Sequence, residues 1–150
     1  MHGGLVLEGT RSLDAARQWF GSEVRLSEPY PGRPPLLIEP ANAAREADIA
    51  TVKRWVADHQ DAIEQALLTF GAVLLRGFPV DETEEFASIM APFEVYSKGY
   101  TAGTSERQAI KGPVMESTST DACIYILLHQ EMSYLRDNPR ALAFWCNVAP

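Results

Sequence analysis

The sequence has 150 residues, of which 46% are apolar and 22% are charged, and its formal net charge is −7. This length is enough for one domain with a substantial core but short for two, and the composition is that of an ordinary globular protein. Because acidic residues outnumber basic ones and lysine and arginine form no cluster, we expect no binding to nucleic acid or to an anionic membrane surface. A small molecule is the expected partner.

The cysteines and the N-terminal residues bear on the cellular compartment. Cys123 and Cys146 are the two cysteines, and neither belongs to a C-x-x-C pair. We interpret both as reduced, buried thiols. Residues 1–14 lack the basic and apolar segments of a secretory signal, and no apolar run is long enough to span a membrane. The sequence predicts a cytoplasmic protein.

The first 40 residues predict a helix followed by an extended connector. Ser12 is a good N-cap for a short helix that ends at Phe20. Five prolines between Pro29 and Pro40 disfavour helix and predict an extended segment with a short strand at Leu36–Ile38. We therefore expect an N-terminal extension and connector at residues 1–35 and a domain at residues 36–150.

The next segment predicts a long helix and a buried strand. Apolar residues at three-to-four spacing between Ala47 and Phe70 indicate one amphipathic helix that ends near Gly71. Trp55 is expected on its core side and His59 on its solvated side. The apolar run Ala72–Phe78 then predicts a buried strand.

A second helix and a loop region follow. Asp81 is the expected N-cap, Glu84 completes the spacing of a capping box, and Pro92 marks the expected end of the helix. Residues 96–122 are rich in glycine, serine and threonine, which predicts mostly loop with a strand around Ile110.

Two further apolar runs, Cys123–Leu128 and Ala141–Val148, predict two more buried strands. Residues i and i+2 of a strand project to the same side, so an extended backbone would place His129 and Glu131 together at the end of the first run. A buried carboxylate is costly unless it is paired or bound to a cation. A histidine and a carboxylate are two of the three ligands of a 2-His-1-carboxylate iron centre. A hydrogen-bonded histidine beside a solvated glutamate, without metal, fits the same pattern.

The order of the motifs carries a family resemblance. "GAVLLRGFP", "GTSERQAIKGPVMEST" and "LLHQEMSYLRDNPRALAFWCNVAP" follow one another in the chain. Together they resemble the TauD/TfdA-like, clavaminate synthase-like family of Fe(II)/2-oxoglutarate-dependent oxygenases, from about Leu36 to Pro150. The resemblance implies an α+β or mainly β fold, with a double-stranded β-helix (jelly roll) core and flanking helices. It also implies Fe(II), 2-oxoglutarate as co-substrate, and hydroxylation of an amino-acid-like small molecule.

The resemblance also assigns roles to individual residues. It makes His129 and Glu131 the first two iron ligands, with no other catalytic residue in the chain. The residues that it places against the substrate are Arg107, Ser117, Thr118 and Tyr134. An arginine could hold a substrate carboxylate with two hydrogen bonds, although loop residues of these types are also common in solvated turns.

One departure from the family pattern keeps three hypotheses open. The family's third iron ligand is a later histidine, and neither it nor the residues that hold 2-oxoglutarate are found in the 150 residues. The resemblance therefore implies the N-terminal part of an oxygenase, with cofactor-binding residues expected beyond Pro150. The alternatives are an inactive binding or assembly module, which would self-associate through unpaired strand edges, and a structural domain in which His-x-Glu is coincidental.

Overall fold

The computed structural model describes residues 11–42, 48–96, 108–117, 120–121 and 123–146. The helices and strands in these ranges are α1 (Leu13–Phe20), β1 (Val24–Ser27), β2 (Leu36–Pro40), α2 (Ile49–Asp58), α3 (Gln60–Phe70), β3 (Val73–Leu75), α4 (Thr83–Ile89), β4 (Ala109–Lys111) and β5 (Val114–Met115). They belong to two compact units, one ending at Pro79 and the other beginning at Val80.

The first unit is built on a three-stranded sheet in the order β1-β2-β3. β2 pairs antiparallel with β1 and parallel with β3, and Ile38 lies opposite both Leu26 and Leu75. The parallel pair requires a crossover connection, which α2 and α3 provide. Leu36 and Ile38 of β2 are fully buried, so the central strand forms the middle of the core. The predicted strand at Leu36–Ile38 is confirmed.

The helix predicted at the N-terminal end of the described chain is also confirmed. The hydroxyl of Ser12 accepts a hydrogen bond from the backbone N–H of Ala15 at 3.4 Å, which satisfies one of the donors left free at a helix start. Ala16 and Phe20 of α1 are buried. One face of this short helix therefore covers the sheet, and its packing rather than its length holds it in place.

The long helix predicted up to Phe70 is divided at His59. The backbone of His59 leaves the helical region (φ −111°, ψ 18°), and its ring Nδ1 donates to the carbonyl oxygen of Trp55 at 2.8 Å. The ring also stacks on Trp55, with 4.6 Å between ring centroids, and is half-buried. The prediction of a solvated His59 is therefore wrong, because the ring competes for a helix carbonyl and packs against an aromatic neighbour.

The N-cap of α2 provides a test of pH-dependent stability. Asp48 Oδ1 accepts a hydrogen bond from the Thr51 N–H at 2.8 Å. That bond, with help from the charge of Arg54, lowers the pKa of Asp48 below its ordinary value of 3.8. A carboxyl group whose pKa is lowered by folding stabilises the folded state above its unfolded pKa, and this contribution is lost as the pH falls through the folded value.

We therefore expect Asp48→Ala to lower the free energy of unfolding at pH 7, and the difference from wild type to shrink as the pH falls below about 4. Urea denaturation at a series of pH values measures this. Asp48→Asn is the matched control, because asparagine caps a helix without titrating. A deficit of Asp48→Ala that does not change with pH would contradict the assignment.

The second unit contains α4 and a β-hairpin. The capping box of α4 is made by Glu82 and Glu85, so the prediction of Asp81 and Glu84 was one residue early. The helix ends before Pro92, as predicted. β4 confirms the strand predicted around Ile110, and it pairs antiparallel with β5 across a turn in which Gly112 adopts φ 54°.

The two strands predicted near the end of the sequence are not formed. Residues 123–146 contain neither helix nor strand, and residues 147–148 of the second predicted strand lie outside the described ranges. In the described chain neither segment has a partner strand, and an extended segment without one has no ladder of backbone hydrogen bonds. The side chain of Tyr125 is 84% exposed and that of Leu128 is fully exposed. Cys123 and Cys146 are exposed, which corrects the prediction of buried thiols.

The fold class of the described part of the chain is therefore α+β. The first unit combines helices with a three-stranded sheet, and the second combines a helix with a two-stranded sheet. The jelly roll stays a prediction at this stage. Among the same residues, no helix combines the length and the apolar composition needed to cross a membrane.

Candidate metal centre

The segment that carries the His-x-Glu pair is held at both ends. At its start, Asp121 accepts the backbone N–H of Cys123 at 2.9 Å, and this bond lowers the pKa of Asp121. At its end, the carbonyl oxygen of Asp137 accepts the hydroxyl of Tyr96 at 2.7 Å. These two contacts position a backbone that has no sheet partner among the described residues.

His129 presents one ring nitrogen for coordination. Its Nδ1 lies 2.8 Å from the carbonyl oxygen of Leu127, and because a carbonyl only accepts, Nδ1 carries the proton. In the neutral ring this leaves the lone pair on Nε2. Metal-binding histidines commonly donate their other ring N–H to a backbone carbonyl in this way, which fixes the orientation of the ring.

The carboxylate of Glu131 faces Nε2 of His129. Glu131 Oε2 lies 3.7 Å from His129 Nε2, and the two side chains are 13% and 58% exposed, respectively. Ligands at about 2.1 Å from one ion and at a right angle lie roughly 3 Å apart. The pair would thus have to close by roughly 0.7 Å to share an ion, a movement within the reach of side-chain rotation.

The chain reverses direction directly after Glu131. Met132 adopts φ 53°, a left-handed conformation that is uncommon for a residue with a side chain, and it is buried. The N–H of Leu135 donates to the carbonyl oxygen of Met132 at 3.0 Å. Burial of Met132 offsets the cost of this backbone conformation, and the turn begins directly after Glu131.

Among the described residues, no third metal-competent side chain groups with His129 and Glu131. Nowhere in the ranges that the structure describes do three or more histidine, cysteine, aspartate or glutamate side chains group so that they could hold a metal ion. The donor set of His129 and Glu131 fits two positions of a 2-His-1-carboxylate centre. The remaining positions need donors from elsewhere.

The other predicted site residues are distributed over the second unit. Ser117 is exposed, at an open and mostly apolar surface depression formed by α4, the β4–β5 hairpin and residues 143–145. Tyr134 lies in the turn after Glu131 and is exposed. Arg107 and Thr118 lie outside the described residues, so their predicted roles stay predictions.

Sequence reasoning missed two features of this site. The carbonyl of Leu127 acts through the backbone, so no side-chain pattern could indicate it. The left-handed turn at Met132 had no signal either, because methionine is not a residue that favours this conformation.

The site can be compared with known proteins. Residues 29–150 match the model of the family described as Taurine catabolism dioxygenase TauD, TfdA family, so the chain belongs to this family. Members of the family are Fe(II)/2-oxoglutarate-dependent dioxygenases. Among curated relatives, a clavaminate synthase-like protein of Arabidopsis thaliana is 26% identical over 125 residues, which cover 81% of this chain and 38% of the relative. The match therefore extends over a little more than a third of that relative's length.

Proposed function

We propose that this chain supplies His129 and Glu131 to the iron centre of a 2-oxoglutarate-dependent oxygenase that hydroxylates an amino-acid-like small molecule. The observation that supports it most directly is the approach of Glu131 Oε2 to His129 Nε2, with the opposite ring nitrogen held by the carbonyl of Leu127. Family membership supplies the reaction class. The substrate class is the one that the family resemblance implies.

The proposal gives each residue of the pair a separate task. Nε2 of His129 offers its lone pair to the metal, while Nδ1 keeps its proton and donates it in a hydrogen bond to the carbonyl oxygen of Leu127. Binding a cation therefore does not require the ring to change tautomer. Glu131 contributes a negative charge in a largely buried position, where a divalent ion offsets the cost of burial. When bound, Fe(II) with 2-oxoglutarate would activate dioxygen for oxidation of a substrate C–H bond.

Two structural parts of the proposal go beyond the described residues. A third ligand and the groups that hold 2-oxoglutarate are required, because the described part of the chain supplies two donors. We also propose the jelly roll as the complete fold around the site. It would give the exposed run at residues 124–128 strand partners and cover its apolar side chains.

Anaerobic titration with Fe(II) and 2-oxoglutarate tests the function, in a protein that also carries the third ligand and the groups that hold 2-oxoglutarate. We expect a visible charge-transfer absorption band when both are present and no band with either one alone. Zn(II) is the matched control, because it binds similar ligands but its filled d shell gives no such band. Absence of both the band and saturable Fe(II) binding would remove the proposal for this chain.

A second candidate function is an assembly module without catalysis. It is favoured by the exposed apolar run at residues 124–128, since a large exposed apolar patch commonly marks an interaction site. Self-association of the chain through this run, together with a negative Fe(II) titration, would support this alternative. A monomer that gives the absorption band would exclude it.

A further inference from the structure

The segment that carries the His-x-Glu pair is joined to a part of the second unit that is distant in sequence. The hydroxyl of Tyr96 donates a hydrogen bond to the backbone carbonyl oxygen of Asp137 at 2.7 Å, across 41 positions of the chain. Tyr96 follows α4, and Asp137 lies six positions after Glu131. The contact therefore ties the chain that follows one of the two proposed ligands to the chain that follows α4.

The backbone between Glu131 and Asp137 is a closed turn. The side chain of Met132 is 4% exposed, and the N–H of Leu135 donates to the carbonyl oxygen of Met132 at 3.0 Å. A turn that is closed by a hydrogen bond and anchored by a buried side chain has less conformational freedom than an open loop of the same length. A shift of Asp137 is therefore passed to Glu131 over a short and restrained path.

The ligand pair lies in a segment without regular secondary structure. In the described chain, residues 123–146 form neither helix nor strand, so no ladder of backbone hydrogen bonds fixes the pair there. A metal site requires its ligands to be held to within about 0.5 Å of their working positions, and Glu131 Oε2 and His129 Nε2 lie 3.7 Å apart. Side-chain contacts to this backbone are therefore expected to decide how far the two groups fluctuate.

We propose that Tyr96 is a positioning residue of the metal centre: its hydroxyl holds the carbonyl group of Asp137 and so restrains Glu131 relative to His129. The inference rests on the proposed function, because it concerns the affinity of the same pair for Fe(II). Tyr96 acts through the backbone and is not itself a ligand. Loss of one hydrogen bond changes an equilibrium constant by roughly two- to tenfold, which sets the size of the expected effects.

Amide exchange in the metal-free chain tests the positioning step without iron. Tyr96→Phe removes the hydroxyl and keeps the ring, and it should raise the exchange rate of the Leu135 N–H by roughly two- to tenfold, measured by NMR. Tyr30→Phe is the matched control, because Tyr30 is 62% exposed and belongs to the first unit. An unchanged rate in Tyr96→Phe, or an equal increase in Tyr30→Phe, would overturn the proposal.

Fe(II) binding measures the consequence for the ligand pair, in a protein that also carries the third ligand and the groups that hold 2-oxoglutarate. Tyr96→Phe is expected to weaken Fe(II) binding by roughly two- to tenfold. It should also broaden the charge-transfer band, because a less restrained pair holds the ion in a wider range of geometries.

A second variant distinguishes positioning from a general loosening of the unit. Trp145→Phe removes the hydrogen bond from Trp145 Nε1 to the carbonyl oxygen of Val80, 3.1 Å long, at a position farther along the chain from Glu131. It should affect Fe(II) affinity less than Tyr96→Phe does and leave the width of the band unchanged. Equal losses of affinity and equal broadening in the two variants would contradict a specific role of Tyr96.

The outcome can be separated from that of the proposed function. A wild-type protein that does not bind Fe(II) saturably would remove the proposed function, and this inference with it. Normal wild-type binding that Tyr96→Phe leaves unchanged would overturn this inference alone.

Discussion

Replacing Glu131 with alanine is expected to reduce Fe(II) affinity by more than roughly 10–100-fold, which is the usual effect of removing a hydrogen-bond partner of a metal ligand. The effect should be larger here because the substitution removes one of the two proposed donors, which lie 3.7 Å apart. The charge-transfer band with 2-oxoglutarate should be lost as well. Isothermal titration calorimetry under anaerobic conditions measures the affinity, and absorption spectroscopy measures the band.

Two control variants separate the loss of a ligand from the loss of a charge. Glu116→Ala removes the same charge at an exposed position of the second unit and should leave Fe(II) affinity unchanged. Glu131→Asp keeps a carboxylate on a side chain one carbon shorter, so it should bind Fe(II) more tightly than Glu131→Ala. Wild-type affinity in Glu131→Ala would show that Glu131 is not a ligand.

The second large effect is expected in the core of the first unit. Leu36→Ala should lower the free energy of unfolding by about 2–5 kcal/mol, the usual cost of removing a fully buried leucine side chain. Leu36 is 0% exposed, and β2, its strand, is paired on both sides. Since a protein of this size is stable by only about 5–15 kcal/mol, this substitution would remove a large share of the stability.

The matched control is the same substitution at a surface leucine. Leu68 in α3 is 74% exposed, so Leu68→Ala should change the free energy of unfolding by no more than about 0.5 kcal/mol. Urea denaturation followed by tryptophan fluorescence measures both variants, because Trp19 and Trp55 lie in the same unit as Leu36. Equal losses in the two variants would mean that β2 is not the centre of the core.

The success of the helix predictions has a local cause. The cap at Ser12 and the apolar spacing between residues 47 and 70 depend on contacts between residues three or four apart, which are visible in the sequence. The apolar run Ala72–Phe78 predicted a buried strand; β3 forms within it at Val73–Leu75, but its residues are only half-buried. The break at His59 was missed because it depends on an aromatic cluster that includes Phe20, which is distant in sequence.

The strand predictions failed where the described chain offers no partner strand. An apolar run such as residues 123–128 meets the sequence criteria for a buried strand, but a strand exists only when a second segment accepts and donates its hydrogen bonds. The approach of His129 and Glu131, expected from an extended strand, is present in a segment that forms no strand in the described chain.

The amino-acid sequence by itself determined the family, the helix positions and the identity of the metal-competent pair, because these depend on residue types at short, fixed spacings. The tertiary structure decided the strand order β1-β2-β3 and the stacking of Phe86 on Trp145. Each of these requires contacts between segments far apart in the sequence, such as two rings 59 positions apart, which no local pattern specifies.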